Sequence, residues 1–414
     1  MIGPLSRLRI YTSPGQYRTI GKELAFRSYG SGHSVEVLER EIASRVGVQY
    51  GAAMPLARVG IYFALRTLIK PGQKVILSPY TIADVVNMVV CAGGIPVFAD
   101  IERHTCNIDL QEVVRLIDDQ TGAVLVTHFY GLACDVREIA EVCRGRGVAL
   151  VEDCAQAYGV RANGKPVGTF GDAGIYSFGM FKNVNAFYGG CIVTNRPDLH
   201  DCILDEMRKL PYQPITHYLK KVLAAALTDV VTYPAVFRLV SFRLFRYAFL
   251  HDVDFINNRL KIDLDPKLLR ELPQEYLCRM LPLQARLVLE QLGRVEQDTK
   301  HRIEAAQLYH EGLKDVSELI LPPLRTDFSH MYWYFPIQYD QRHQLVGYAM
   351  RHGRDITESY HRNCAALPCF SKFYKDCPNA QATANSLIYL PTYPGYSRSE
   401  IDKTITVVRR YFGK

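Results

Sequence analysis

The sequence predicts an α/β fold: a mostly parallel central sheet covered by helices, followed by a smaller C-terminal α/β lobe. Three observations carry this expectation. Short runs rich in Val and Ile alternate with helix-length segments from about Val35 to Thr194. A long charged helical pattern then spans Leu283 to Lys314, and a second, shorter alternation of strand and helix follows it. Repeated strand-helix units bury both faces of a sheet, which is the pattern of parallel strands. The division expected is a large domain over residues 1–265 and a small one over 266–414.

The expected strands are Lys74–Ser78, Ile95–Asp100, Ala123–His128, Val148–Asp153, Gly174–Ser177 and Cys191–Thr194. Helical patterns lie between them at Gly60–Leu68, Ile82–Cys91, Leu110–Asp118 and Val136–Gly147. An apolar helical insertion is expected near 215–255. Within it, Lys221–Leu250 mixes apolar and aromatic residues with Arg238, Arg243 and Arg246, and Pro234 is expected to break it into two helices. In the small lobe, Tyr332–Tyr339 reads as a strand, Leu345–His352 and Ser397–Tyr411 as helices, and Tyr360–Tyr374 as an aromatic segment between them.

With 414 residues, 48% of them hydrophobic and 22% charged, the chain has the composition of a soluble protein of more than one domain. The formal charge of +7 and pI of 8.7 are mildly basic, but Lys and Arg are spread along the chain. That argues against nucleic acid and favours anionic small molecules or a membrane surface. Eleven cysteines without a CxxC pair sit mostly in apolar segments, which suggests reduced thiols, no zinc site and a cytoplasmic setting. No signal-like apolar core opens the chain and no run of ~18 uncharged apolar residues occurs, so neither secretion nor a spanning helix is expected.

In parallel sheets, ligands bind at the carboxyl ends of strands. The stretch VEDCAQAYG (Val151–Gly159) is such an end, and Lys182 follows inside GTFGDAGIYSFGMFKNVNAFYGGCIVTN. The order is acid-x-x-Gln, Gly-Asp-x-Gly, Ser-Phe-x-x-x-Lys, then a Gly-Gly strand entry. Together with Asn107–Asp109, His128–Gly131 and the Arg279–Met280 and Gln284–Ala285 pairs, it resembles the nucleotide-sugar aminotransferases, or DegT family, of fold-type-I pyridoxal-phosphate enzymes. The likeness runs from about Gly32 to Gly413.

The resemblance implies a cofactor, pyridoxal 5'-phosphate, and roles for individual residues. Asp153 matches the carboxylate that faces the ring nitrogen, and Gln156 the glutamine near the ring substituents. Lys182 matches the residue that binds the cofactor aldehyde and later shuttles the proton. Relatives with histidine there are dehydratases, so a lysine implies an aminotransferase. Ser177 matches a phosphate-contacting serine. Three positions depart from the pattern. Ala57-Arg58 stands where relatives have a Gly-Thr or Gly-Ser turn, and Tyr276–Met280 lacks their phosphate-reaching asparagine. The Arg58 guanidinium either replaces both contacts or is a salt-bridged helix residue. Ile82 occupies the place of the ring-stacking aromatic, a role for which Tyr80 is the alternative. Tyr360, His361 and Arg362 match the loop lining the sugar site.

A homodimer is implied, with glutamate as the amino donor and a keto-sugar, most readily nucleotide-linked, as the acceptor. Alternatives are a cyclitol or lipid-linked ketone at a membrane, or a protein that keeps the cofactor for regulation without turnover. The Lys221–Leu250 helices either pack on the partner or small lobe, or lie on a membrane surface as a peripheral contact.

Overall fold

Val, Ile and Leu side chains on consecutive short strands meet in a seven-stranded sheet in the computed structural model, which describes residues 3–10, 13–253 and 265–414. The last two residues of the expected 215–255 insertion lie outside the described residues. Across the sheet the order is Tyr50–Met54, Gly190–Thr194, Ala173–Ser177, Ala149–Asp153, Thr121–Thr127, Lys74–Leu77 and Ile95–Phe98. Only Gly190–Thr194 runs against the other six. Helices Ala57–Leu68, Ala83–Cys91, Leu110–Leu116 and Val136–Arg146 connect the strands, near the boundaries that the apolar periodicity predicts.

Tyr50–Met54 is the one strand of this sheet missing from the sequence reading. Its sequence, YGAAM, contains no β-branched residue, so local propensity is weak. Tertiary contacts form it instead: a full antiparallel register with Gly190–Thr194, and the Glu39 carboxylate accepting the Ala53 N–H at 2.8 Å.

The long pattern expected over Leu283–Lys314 is two helices, Pro282–Leu289 and Val295–Leu313, separated by a 3-10 turn at Leu292–Arg294. The break follows Gln291, whose side chain is drawn away to the backbone of Asn185: its amide donates to the Asn185 carbonyl at 2.6 Å, and its oxygen accepts the Asn185 N–H at 3.1 Å. A tertiary contact overrides the periodicity at that point.

Two hydrophobic clusters fill the molecule. The larger surrounds the seven-stranded sheet and includes Leu283–Val288 and Leu292. The smaller joins Ile303–Leu313 to the helices Arg342–Arg351 and Arg398–Tyr411 and to a three-stranded sheet ordered Phe335–Gln338, Leu387–Leu390, Thr357–Glu358. Backbone bonds tie this second unit to the main sheet's carboxyl edge. Ala133 N–H donates to Ser329 O (2.9 Å), Met331 N–H to Gly131 O (2.8 Å) and Trp333 N–H to Tyr130 O (2.9 Å). Arg362–Asn363 also pairs antiparallel with Tyr80–Thr81.

The insertion forms two helical stretches, Ile215–Val231 and Pro234–Leu250, bent by 57° at the break. Pro234 opens the second, where its missing N–H has no helical partner to lose. A π-helical turn at Phe237–Ser241 interrupts it. Tyr218, Val222 and Ala225 pack into the larger cluster, Phe237 and Phe242 into the smaller. Among the described residues no single helix is long and apolar enough to cross a membrane.

Candidate active site

Strand alternation sends Glu152 and Asp153 to opposite faces at the end of Ala149–Asp153. Glu152 is fully buried and accepts the backbone N–H groups of Gly168 (2.6 Å), Phe170 (2.7 Å) and Gly171 (2.9 Å). His128 Nδ1 accepts the Cys134 N–H at 3.2 Å, so its Nε2 carries the proton and donates to Glu152 at 3.2 Å. With Cys154 these are the one grouping of metal-type ligands among the described residues. Their chemistry is that of a clasp, since both carboxylate oxygens already accept N–H donors and burial pushes the Cys154 thiol well up. Glu152→Gln turns an acceptor toward Gly168 or Phe170 into an amide donor. The variant is expected to lose about 2 kcal/mol, read as a lowered Tm; an unchanged Tm would show the clasp carries no stability.

Asp153 is 5% exposed and its Oδ1 accepts the Ala155 N–H at 3.0 Å. Burial raises its pKa, opposed by that hydrogen bond and by the Lys182 charge. Lys182 sits in the loop between Ala173–Ser177 and Gly190–Thr194. Phe178 N–H bonds Gly189 O (2.9 Å), Ala186 N–H bonds Phe178 O (2.8 Å), and the Asn183 amide bonds Tyr158 O (2.8 Å). The Asn185 carbonyl accepts from Gln16 at 3.0 Å as well as from Gln291. The loop is therefore anchored from three sides. Burial pulls the Lys182 amine down to about 8; the Asp153 charge opposes this and the Arg58 charge adds to it.

The side chain over Lys182 is Trp333, whose ring centroid lies 4.4 Å from Nζ. Its indole N–H donates to Phe181 O at 3.0 Å, fixing the ring to the lysine loop itself. Tyr130, which receives the Trp333 backbone N–H, has φ of +52° and donates its own N–H to Gln156 Oε1 at 2.7 Å. Gly131 follows at φ +77°, where a Cβ would collide with Met331. Gln156 thus braces a strained turn on the wall of the site. Neither Trp333 nor Tyr130 stands out from sequence periodicity. The available signals were that Trp333 is the chain's sole tryptophan and that Tyr130 lies in the quoted His128–Gly131 block.

At the other end, Ser177 closes its strand and its Oγ accepts the Gly179 N–H at 3.3 Å. A Cβ on Gly190 would lie 2.8 Å from Ala57 N, so glycine lets this strand approach the start of Ala57–Leu68. Leu56 precedes that helix in extended conformation and offers no side-chain cap. An uncapped helix N-terminus at Ala57 and Arg58 beside a serine hydroxyl is suited to an anion. The Arg58 side chain forms an ion pair with Asp84, and its guanidinium lies 3.4 Å from the Tyr276 hydroxyl.

Tyr80 is fully buried. Its hydroxyl bonds those of Tyr130 (2.8 Å) and Ser359 (2.9 Å), and its ring lies against Phe129. Tyr389 joins this cluster through Ser359 (2.7 Å) and through His361 Nδ1 (2.8 Å). Burial, with help from the Lys182 charge, drives His361 down to about 3, so its imidazole is neutral at physiological pH. Tyr360 stacks on His361, and with Arg362 it borders a small cavity beside Thr81 and Ile82. Lys182 lies within electrostatic reach of Asp153, His361 and Arg58, and the Tyr80 ring lies 5.7 Å from that of His361.

The chain is 26% identical over 388 residues to the GDP-perosamine synthase of Vibrio cholerae, covering 92% of this chain and 91% of that protein. It is 27% identical over 394 residues to the UDP-N-acetyl-3-dehydro-alpha-D-glucosamine 3-aminotransferase of Acidithiobacillus ferrooxidans, covering 94% and 92%. Among solved structures, the E. coli GDP-4-keto-6-deoxy-D-mannose-3-dehydratase with bound hydrated pyridoxal phosphate shares its fold, with a TM-score of 0.76 at 19% identity over 99% of this chain and 100% of that one. Over residues 20–222 and 268–409 the sequence matches the model of the DegT/DnrJ/EryC1/StrS aminotransferases, and the chain belongs to that family.

Proposed function

We propose that this chain moves an amino group from glutamate to the ketone of a nucleotide-linked sugar, with Lys182 and Asp153 acting on the cofactor. The protein is a pyridoxal-phosphate-dependent aminotransferase, as its family is. The observation that carries the residue assignment is the buried Lys182 amine, brought down to about 8 and electrostatically coupled to the buried Asp153. The donor set fits the cofactor: a carboxylate, an amine, a hydroxyl and an uncapped helix N-terminus.

Pyridoxal phosphate, when bound, supplies an electron sink in its protonated ring. Asp153 would hold the proton at the ring nitrogen. Burial alone disfavours its charge, and a cation opposite restores it. Lys182 Nζ would anchor the cofactor and, as an amine beside the substrate carbon, would carry the proton that this carbon gives up and regains. Trp333 covers this amine and keeps water from it. The Ser177 hydroxyl and the Ala57 and Arg58 N–H groups would hold the phosphate. The Arg58 guanidinium adds positive charge at that corner, partly neutralised by Asp84. Tyr360, the neutral His361 and Arg362 line the sugar side, and Tyr80 and Gln156 hold that wall in shape. The substrate class is carried from the two relatives whose names specify GDP- and UDP-linked sugars. A cytoplasmic homodimer completes the proposal, with sedimentation equilibrium as its check.

Glutamate added to the cofactor-loaded protein should shift the cofactor absorption. A panel of UDP-, GDP- and dTDP-linked keto-sugars should then identify one acceptor by the mass of its amine product. An absorption unmoved by glutamate would refute the transfer, and an acceptor lacking a nucleotide would refute the sugar class. Lys182 attacks only as the neutral amine, which is the minor form below about pH 8. Cofactor loading, followed by quenching of the single Trp333, is therefore expected to speed up about tenfold per pH unit below that value and level off above it. A midpoint near 10.5 would show an unperturbed lysine.

A further inference from the structure

The helical insertion carries one face that the fold does not use. On Ile215–Val231, Leu223 (72% exposed), Leu227 (64%) and Val230 form a single stripe, spaced four and three residues apart. On Pro234–Leu250, Val236, Leu239 (61%), Val240 (62%), Leu244 and Tyr247 form another. The opposite faces of both helices are the ones that reach the two hydrophobic clusters, so the exposed stripes are not the packing side. The π-helical turn at Phe237–Ser241 widens the helix where Leu239 and Val240 project outward. Most of this segment also lies outside the family match, which ends at 222 and resumes at 268.

Charge chooses the occupant. Between Ile215 and Leu250 there are five basic residues and one acid. The acid, Asp229, is bound by the Tyr17 hydroxyl at 2.7 Å. Arg243 and Arg246 are exposed, share a helix face with Leu239, Val240 and Tyr247, and have no ion-pair partner among the described residues. Lys220 lies one turn before Leu223 on the same side. A second copy meeting this face about a twofold axis would set arginine against arginine with no free carboxylate between them. An anionic lipid surface instead offers acyl chains to Leu and Val and phosphates to Arg and Lys, whose stems lie along apolar surface while their charged heads stay wet.

We propose that residues 215–250 dock this enzyme peripherally on an anionic lipid bilayer, with the two stripes at the acyl boundary and Arg243, Arg246 and Lys220 on headgroup phosphates. The test is co-sedimentation of the full-length, cofactor-loaded protein with vesicles of phosphatidylglycerol or of phosphatidylcholine. At low salt about tenfold more protein should pellet with phosphatidylglycerol, and salt should reverse this. The Arg243→Glu/Arg246→Glu double variant should bind the anionic vesicles about tenfold more weakly. Leu239→Ser/Val240→Ser should also weaken binding, and both variants should keep the cofactor absorption that reports an intact fold. Protein left in the supernatant at low salt, or binding indifferent to both variants, overturns the proposal. So does a dimer that Leu239→Ser/Val240→Ser splits in the absence of any vesicle binding, which would assign the face to a second copy.

Discussion

Lys182→Ala is expected to lower amino transfer by about 10⁴-fold or more, because the role proposed for this one side chain joins the covalent anchor and the proton carrier. Borohydride should then fix no cofactor to the protein, whereas in the wild type peptide mass spectrometry should find it on Lys182. Folding should survive. The buried amine, drawn from 10.5 to about 8, is held less favourably as ammonium in the fold than in the unfolded chain. At neutral pH that charge destabilises the protein, so its removal should leave Tm unchanged or raise it. A variant that retains a reducible cofactor and full transfer would take the chemistry away from this residue.

Asp153→Asn is expected to slow transfer by about 10³-fold, since a neutral amide cannot hold a proton on the ring nitrogen by charge. The asparagine Oδ1 can still accept the Ala155 N–H that now reaches Asp153 at 3.0 Å, so the turn after the strand should persist. A second readout separates this role from a structural one. The Asp153 charge holds the Lys182 pKa up against burial, so the midpoint of cofactor loading should move to lower pH in the variant. Wild-type rates together with an unmoved midpoint would make Asp153 a turn residue only.

Much of this molecule is legible in local sequence because its signals are local. Val151 and its neighbours announce a buried strand, Pro234 announces a helix start, and the acid, serine and lysine blocks stand in an order that identifies the family. What escapes the sequence is decided at long range. YGAAM becomes a strand only because Gly190–Thr194 runs beside it. The pattern after Leu283 breaks because Gln291 reaches Asn185 across the fold. Trp333 stands over Lys182, far away in the chain, because Tyr130 and Phe181 hold its backbone and its indole. Arg58 had two readings that differ only in where a long side chain turns, and Asp84, one helix away, takes it.

The bonds from Ser329, Met331 and Trp333 to residues 130–133, with the short ladder between Arg362–Asn363 and Tyr80–Thr81, bear on how the enzyme works through a cycle. Two units joined by one covalent linker could open and shut around a ligand. Here the second unit is stitched to the first along the very edge where the candidate cofactor residues lie, and the indole over Lys182 is one of the stitches. Opening that edge has to break those backbone hydrogen bonds and the indole contact with the Phe181 carbonyl, so the grip on the candidate lysine and the docking of the second unit are lost together.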